Sequence, residues 1–147
     1  MHNGYMSKAH LTAISRKKLS SPAQYLHDQN LLSGRILDYG SGRGFDADQL
    51  NAEKFDPYYA PHQPFGKYET IYCNFVLNVI EDEDMRLATV FRIWHLLQKG
   101  GTAYISVRND KRALKGRTSK GTWQGFIQLD LPIQKQNASF VMYKITK

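Results

Sequence analysis

Apolar and polar positions along the chain form two kinds of pattern. Short apolar runs at 36–37, 68–80, 102–107 and 138–146 each mark one strand. Between them lie segments whose apolar residues recur every three or four positions, as on one face of a helix. This alternation predicts an α/β protein built on a largely parallel sheet. The runs at 126–134 and 138–146 follow each other without a helix and predict a closing antiparallel pair.

The first helix is predicted from its start. Ser20 or Ser21 can cap a helix whose first position is Pro22, because serine accepts a backbone hydrogen bond and proline lacks the hydrogen that would stay unpaired. We expect this helix to continue to about Leu31 and to cover the sheet.

The second helix is predicted within residues 81–101. Four acids, at 81–84, occupy its start, where the helix dipole favours negative charge, and Gly100 with Gly101 should end it. Apolar residues at helical spacing are expected to form its core-facing stripe. These residues are Leu87, Val90, Phe91, Trp94 and Leu97.

A glycine-rich turn follows the first strand. The run DYGSGRG at 38–44 places an acid at the strand end and then three glycines, each two positions apart. Glycine allows backbone with positive φ to lie directly against a ligand. A dinucleotide fingerprint would need a further glycine at position 45, where the chain has Phe45. The pattern is instead acid-x-Gly-x-Gly-x-Gly. A second acid, Asp56, lies 18 positions after Asp38 in EKFDPYY at 53–59, which is predicted as the second strand.

This pattern resembles motif I of the class I S-adenosylmethionine (SAM) dependent methyltransferases. The resemblance implies a Rossmann-like three-layer sandwich with SAM as cofactor, a glycine turn under the cofactor and Asp56 on the ribose hydroxyls. Tyr58 and Tyr59 then either flank the adenine or seal the edge of a short core. The expected cofactor-binding residues are Asp38, Tyr39, Gly40, Ser41, Gly42, Gly44, Asp56, Pro57, Tyr58, Asn74 and Phe75.

The chain departs from that family pattern after its second strand. Only PYYAPHQPFGK, with three prolines and one glycine, lies between Asp56 and the run at 68–80. Each proline disfavours helix in the residue before it. We therefore predict a minimal sandwich in which the usual third strand and its helix are missing, and residues 57–65 form an extended loop.

The sequence DPYY at 56–59 looks like the [DN]PP[YF] motif of enzymes that methylate exocyclic amino groups of DNA bases. In those enzymes the motif ends the fourth strand, whereas here it occupies the place of the ribose acid. Asn74 ends the equivalent strand instead, so it is expected either to touch the methionine moiety or the nucleophile, or to be held by loop backbone. DYGSGRG, DPYY and VLNVIED together also resemble a group of bacterial methyltransferases associated with DNA phosphorothioation genes.

The net charge of +7 is uneven along the chain. Residues 1–35 carry +4, residues 36–98 carry −5 and residues 99–147 carry +8. Basic ends around an acidic middle suggest an anionic partner, with nucleic acid leading and RNA ahead of DNA, although solvated surface charge explains the same pattern. The basic segment at 111–120, which contains five Lys or Arg, is expected to form a loop. The expected substrate residues are Arg16, Arg108, Asn109, Lys115, Arg117 and Trp123.

Other function classes stay open or are disfavoured. A small-molecule or protein methyltransferase would use the same donor site, whereas a non-catalytic binding module would keep the fold without binding SAM. Asp46, His62 and Asp110 are candidate bases, and no catalytic residue is assigned. The single cysteine, Cys73, speaks against disulfides and a cysteine metal cluster, and no metal is expected. We expect a mobile leader at 1–10, one domain at 11–147, a cytoplasmic location, no membrane partner and, as one option, a homodimer.

Overall fold

The computed structural model describes residues 10–110, 115–117 and 121–147. Residues 1–9 of the predicted leader, together with Lys111, Arg112 and Lys120 of the basic segment, lie outside the described residues. The helices are α1 (Ser21–Asp28), α2 (Phe45–Leu50) and α3 (Glu83–Leu96), and a 3₁₀ turn at Leu77–Val79 precedes α3. The strands are β1 (Ile36–Tyr39), β2 (Glu53–Phe55), β3 (Tyr68–Asn74), β4 (Leu97–Arg108), β5 (Lys115–Arg117), β6 (Trp123–Gly125), β7 (Ile133–Gln136) and β8 (Phe140–Thr146).

Six strands form one sheet in the order β2-β1-β3-β4-β8-β7. The first four are parallel, β8 is antiparallel to β4, and β7 is antiparallel to β8. Residues 56–67, between β2 and β3, contain no helix and only an isolated bridge between Asp56 and Ala60. The predicted Rossmann-like α/β fold, its antiparallel end and the loss of the third strand with its helix are confirmed. The basic segment, expected as a loop, includes a short hairpin of β5 and β6.

Alternate residues of the central strands enter two cores, as the two-residue period of a strand requires. Ile71 and Ile105 face one core, into which α3 places Ile93. Tyr72 and Tyr104 face the other, which α1 covers through Leu26, as predicted. Each such fully buried side chain contributes about 1.5–3 kcal/mol to folding, so the two cores fix the strand ends that surround the cavity described below.

Helix α1 begins as predicted and ends earlier. The Ser20 hydroxyl accepts a hydrogen bond from the backbone N–H of Ala23, and Pro22 occupies the first turn. The helix ends at Asp28, three residues before the predicted Leu31, because Asn30 adopts a positive φ that interrupts the helical backbone.

Helix α3 differs from its prediction in its end and its orientation. It ends at Leu96, and Gly100 and Gly101 lie inside β4. Val90 and Leu97 pack in the core, as expected. The prediction is wrong for Leu87, Phe91 and Trp94, which are 51%, 65% and 39% exposed. The helix buries Ile93 and Leu96 instead, and within the described ranges no other helix lies on its face of the sheet to cover a second stripe.

Candidate cofactor and acceptor site

A cavity of about 430 Å³ opens at the carboxyl ends of β1, β3 and β4. This is where ligands bind in doubly wound sheets, and the volume is typical of cofactor and small-molecule sites. Its walls come from the glycine turn after β1, from the end of β3 with the 3₁₀ turn, and from residues 10–16.

The glycine turn is held by backbone hydrogen bonds to β2. The N–H groups of Gly40 and Ser41 both donate to the carbonyl of Phe55, at 2.7 and 2.9 Å. Gly40, Gly42 and Gly44 all have positive φ, which L side chains rarely adopt. A side chain at position 40 would also overlap Val76. The turn therefore needs glycine at these positions, and it lies along the cavity wall.

Asp56 joins this turn to the loop after β2. One carboxylate oxygen accepts from the N–H of Gly42 at 3.1 Å, and the other accepts from Tyr58 and Tyr59 at 3.0 and 2.9 Å. The carboxylate also lines the cavity. A carboxylate has about four acceptor positions, so these three hydrogen bonds leave capacity for a ligand hydroxyl.

Three carboxyl groups line the same end of the cavity: Asp38, Asp46 and Asp56. Asp46 is anchored to the start of α1, since it accepts from the N–H and the hydroxyl of Ser20 at 2.9 and 2.6 Å. Burial raises the pKa of Asp38 well above its usual range, and the negative charges of Asp46 and Asp56 raise it further. A bound cation would relieve this repulsion, so this end of the cavity suits a positively charged ligand.

Residues 10–16 cover the glycine turn. The ring of His10 stacks on Tyr58 with centroids 3.8 Å apart, and Tyr59 meets Tyr58 edge-on at 4.8 Å. Ala13 lies 3.4 Å from the position that a Cβ on Gly42 would occupy. Sequence reasoning missed His10 and Ala13 as site residues. Nothing in HLTAIS, residues 10–15, marks them, because only the folded chain brings this segment over the turn.

The other end of the cavity is lined by neutral amides. Both polar atoms of the Asn74 side chain are buried and have no hydrogen-bond partner among the described residues. Asn78, missed by sequence reasoning, is buried and donates to Gln124 at 3.2 Å. An asparagine inside the apolar run VLNVI was the available signal for it, whereas Gln124 carried none. Phe75, with φ +62°, turns the chain here and donates its N–H to Ser106.

Arg108 and Asp110 stand at the mouth of this end. The guanidinium donates two hydrogen bonds to the Asp110 carboxylate, at 2.8 and 2.9 Å, and a third to Gln124 at 3.3 Å. This pairing raises the pKa of Arg108 further above its usual value. Of the candidate bases, Asp46 and Asp110 line the cavity, and His62 does not.

Several predicted site residues lie elsewhere. The Tyr39 ring packs 4.9 Å from Phe55, and burial raises its pKa to about 12. Asn109 is buried and donates to the carbonyl of Asn137 at 2.7 Å. Trp123 lies under Arg86, whose guanidinium is 5.6 Å from the ring centroid. None of these three side chains lines the cavity, whereas Pro57 and Arg16 do.

For Lys115 and Arg117, only the backbone of β5 is described. Within the described ranges, no three His, Cys, Asp or Glu side chains are grouped as a metal site would need. A search of the same residues finds no helix with the length and hydropathy needed to span a membrane.

Comparisons of the sequence and the fold with known proteins identify a family. Residues 11–134 match the family model described as a methyltransferase domain. Among curated proteins, none is significantly similar to the chain in sequence.

Solved structures give the same fold. One is an S-adenosylmethionine dependent methyltransferase from Mesorhizobium loti, at 11% identity and TM-score 0.52, with 85% of this chain and 98% of that chain covered. Another is 1,6-didemethyltoxoflavin-N1-methyltransferase from Burkholderia thailandensis, at 16% identity and TM-score 0.60, with 86% of this chain and 77% of that chain covered. A third is the N-methyltransferase NodS from Bradyrhizobium japonicum WM9, at 13% identity and TM-score 0.56, with 85% of each chain covered.

Proposed function

The chain belongs to the methyltransferase-domain family, and on that premise we propose that it transfers the methyl group of SAM to a nucleic acid, with RNA ahead of DNA. It is a SAM-dependent methyltransferase. When bound, SAM supplies a methyl group that is already activated on a sulfonium sulfur. The task left to the chain is to hold donor and acceptor in line.

The residues of the cavity fit this cofactor. SAM carries positive charge at its sulfonium and amino groups, which the carboxyl groups of Asp38, Asp46 and Asp56 complement. Asp56 keeps acceptor capacity for ribose hydroxyls. The buried hydroxyl of Ser41 has no partner among the described residues and offers a further polar contact on the glycine turn.

Asn74 is the residue best suited to orient the acceptor. Its amide is unpaired within the described chain and lines the cavity at the end of β3. The amide oxygen can accept a hydrogen from an N–H or O–H acceptor group, and the amide nitrogen can donate to a neighbouring oxygen. We assign no general base, because Asp46 is bonded to Ser20 and Asp110 to Arg108.

The observation that supports the nucleic-acid proposal is the position of Asp110 and Gln124, which flank the basic segment in sequence. The chain leaves the cavity at Asp110 and returns to it at Gln124, since both residues line it. Residues 111–120, between them, contain five Lys or Arg. A cationic segment joined to the cavity mouth at both ends can hold phosphates while a base enters.

A neutral small molecule is the second candidate acceptor, and the charge pairing at the mouth of the cavity favours it. Arg108 is neutralised by Asp110, and the groups beyond it are the amides of Asn74, Asn78 and Gln124. We also propose, from DYGSGRG, DPYY and VLNVIED alone, that the chain belongs to the phosphorothioation-associated group, which does not define an acceptor.

The experiment is transfer of labelled methyl from SAM to bulk tRNA and to genomic DNA, together with tRNA binding over a range of salt. We expect label in tRNA. Lys115→Ala with Arg117→Ala should weaken tRNA binding and reduce its salt slope by roughly 1.4, the value for two lost phosphate contacts on a single strand. SAM affinity should not change.

A matched control removes the same charge elsewhere. Lys99 and Lys144 lie toward the opposite end of the β4–β8 pair from Arg108, so Lys99→Ala with Lys144→Ala should leave the slope unchanged. Label in neither nucleic acid, with SAM still bound, would reject the proposal in favour of a small-molecule acceptor.

A further inference from the structure

Helix α3 carries an exposed apolar face that the fold does not use. Leu87, Phe91 and Trp94 are 51%, 65% and 39% exposed, and their spacing of four and three places them on one side of the helix. We call these three residues the α3 flank. Single exposed apolar residues are ordinary, whereas three large ones in a row on one helix face indicate an interaction site.

The two ends of the α3 flank have opposite charge. Glu83 and Asp84 are exposed in the first turn, and Glu83 lies one turn before Leu87 on the same face. At the other end, the ammonium of Lys147 lies 4.2 Å from the ring centroid of Trp94. Lys67 donates to the carbonyl of His95 at 2.6 Å, and Lys99 is exposed just after the helix.

The basic end gains from an anionic neighbour. Partial desolvation lowers the pKa of Lys147, and the nearby charge of Lys67 lowers it further. Two ammonium groups that repel each other are stabilised when a carboxylate approaches both. The acidic end of an identical helix supplies such carboxylates.

We propose that two copies of this chain pair through the α3 flank, with the two helices antiparallel. A twofold axis near Phe91 places Leu87 of each copy against Trp94 of the other. Glu83 and Asp84 of one copy then lie opposite the end of the partner's helix, beside Lys99 and Lys147. The apolar centre and the two charged ends are all satisfied by this one arrangement.

The expected dimer is of moderate strength. Helix α3 has 14 residues and is about 21 Å long. An interface centred on one such helix is at the small end of specific interfaces, so we expect a dissociation constant in roughly the micromolar range. None of the three residues of the α3 flank lines the cavity, so each copy should bind SAM independently of pairing.

The test is sedimentation velocity below and above that concentration, at low salt. Wild type should change from monomer to dimer, and Phe91→Ser should stay monomeric. Glu83→Lys with Asp84→Lys makes both ends of the flank basic, and Lys99→Glu with Lys147→Glu makes both acidic. Each double variant should be monomeric alone, and a mixture of the two should form a heterodimer.

The controls separate loss of pairing from loss of fold. Asp130→Lys reverses an exposed charge outside the flank and should dimerise as wild type does. All variants should keep the wild-type melting transition within a few degrees and bind SAM equally. A wild type that stays monomeric, a Phe91→Ser variant that dimerises, or double variants that fail to pair when mixed would each overturn the proposal.

Discussion

The two proposed ends of the cavity are built in different ways: a carboxyl-lined donor end and an amide-lined acceptor end. The donor end is centred on one short turn, which hydrogen bonds tie to Phe55 and Asp56 within 20 residues of sequence. Residues 10–16 and the Ser20–Asp46 pair add to it from farther away in the chain. The acceptor end collects Asn74, Asn78, Arg108 and Gln124 from separate segments, and the Asn74 amide has no partner among the described residues. The donor end is therefore preorganised by local backbone, whereas the acceptor end keeps polar groups free for a ligand.

The largest expected effect is a loss of SAM affinity when a side chain is added to the glycine turn. Gly42 has φ +54° and lies in the cavity wall, so Gly42→Val strains the backbone and places a branched side chain beside Ala13. We expect SAM affinity to fall by about 100-fold or more, equivalent to roughly 2.7 kcal/mol. Calorimetric titration with SAM, and then with its demethylated product, measures this loss of affinity.

Gly100→Val is the matched control for that substitution. Gly100 also has positive φ, at +85°, but open space surrounds its Cβ position. It should lose stability through the same kind of strain and retain wild-type SAM affinity. Equal SAM affinity in Gly42→Val and wild type would remove the glycine turn from the donor site.

Two asparagines at the carboxyl ends of neighbouring strands, Asn74 in the cavity and Asn109 outside it, should behave in opposite ways. Asn74→Leu removes an unpaired buried amide, so stability should stay equal or rise, while label transfer to tRNA falls by about 100-fold through lost positioning. Asn109→Leu breaks the hydrogen bond to Asn137 and should cost about 1–3 kcal/mol of stability, with the transfer rate retained. Thermal melts and labelled transfer test both; a stable, fully active Asn74→Leu would contradict the assignment.

The smallest expected effect is a pH-dependent rise in the melting temperature when Asp38 is replaced by Asn. Because the pKa of Asp38 is higher in the folded chain than in the unfolded one, its contribution to stability is lost as pH rises through the folded pKa. Asn does not titrate, so Asp38→Asn should melt above wild type by a few degrees at alkaline pH, and the difference should shrink at acidic pH.

The same substitution, Asp38→Asn, can also be compared with wild type in the presence of SAM. Asp38→Asn removes a carboxyl group that complements the positive charge of SAM, so the rise in melting temperature on adding SAM should be smaller than in wild type. A pH-independent difference between the ligand-free proteins would mean that Asp38 stays unperturbed in the fold.

Features set by neighbours in sequence were predictable. The glycine turn and the Ser20 cap follow from the backbone preferences of single residues. Three prolines within residues 57–65 were enough to predict the missing third strand. The role of each cofactor residue stays a prediction, apart from its placement around the cavity.

Features set by packing were not predictable in the same way. On α3 the sequence offers two apolar stripes at helical spacing, one through Leu87, Phe91 and Trp94 and one through Ile93 and Leu96. Periodicity cannot choose between them, because which stripe is buried depends on the angle at which the helix meets the sheet. Likewise, His10 and Gln124 reach the cavity only because distant segments fold over it.

The sequence by itself determined the fold class, the donor turn and the compressed sheet, since local conformational preference and strand periodicity act over a few residues. The tertiary structure alone decided which face of α3 is exposed, that Tyr39 and Asn109 support the fold away from the cavity, and that amides line its inner end. The physical reason is that burial and hydrogen-bond pairing depend on contacts between residues far apart in the chain.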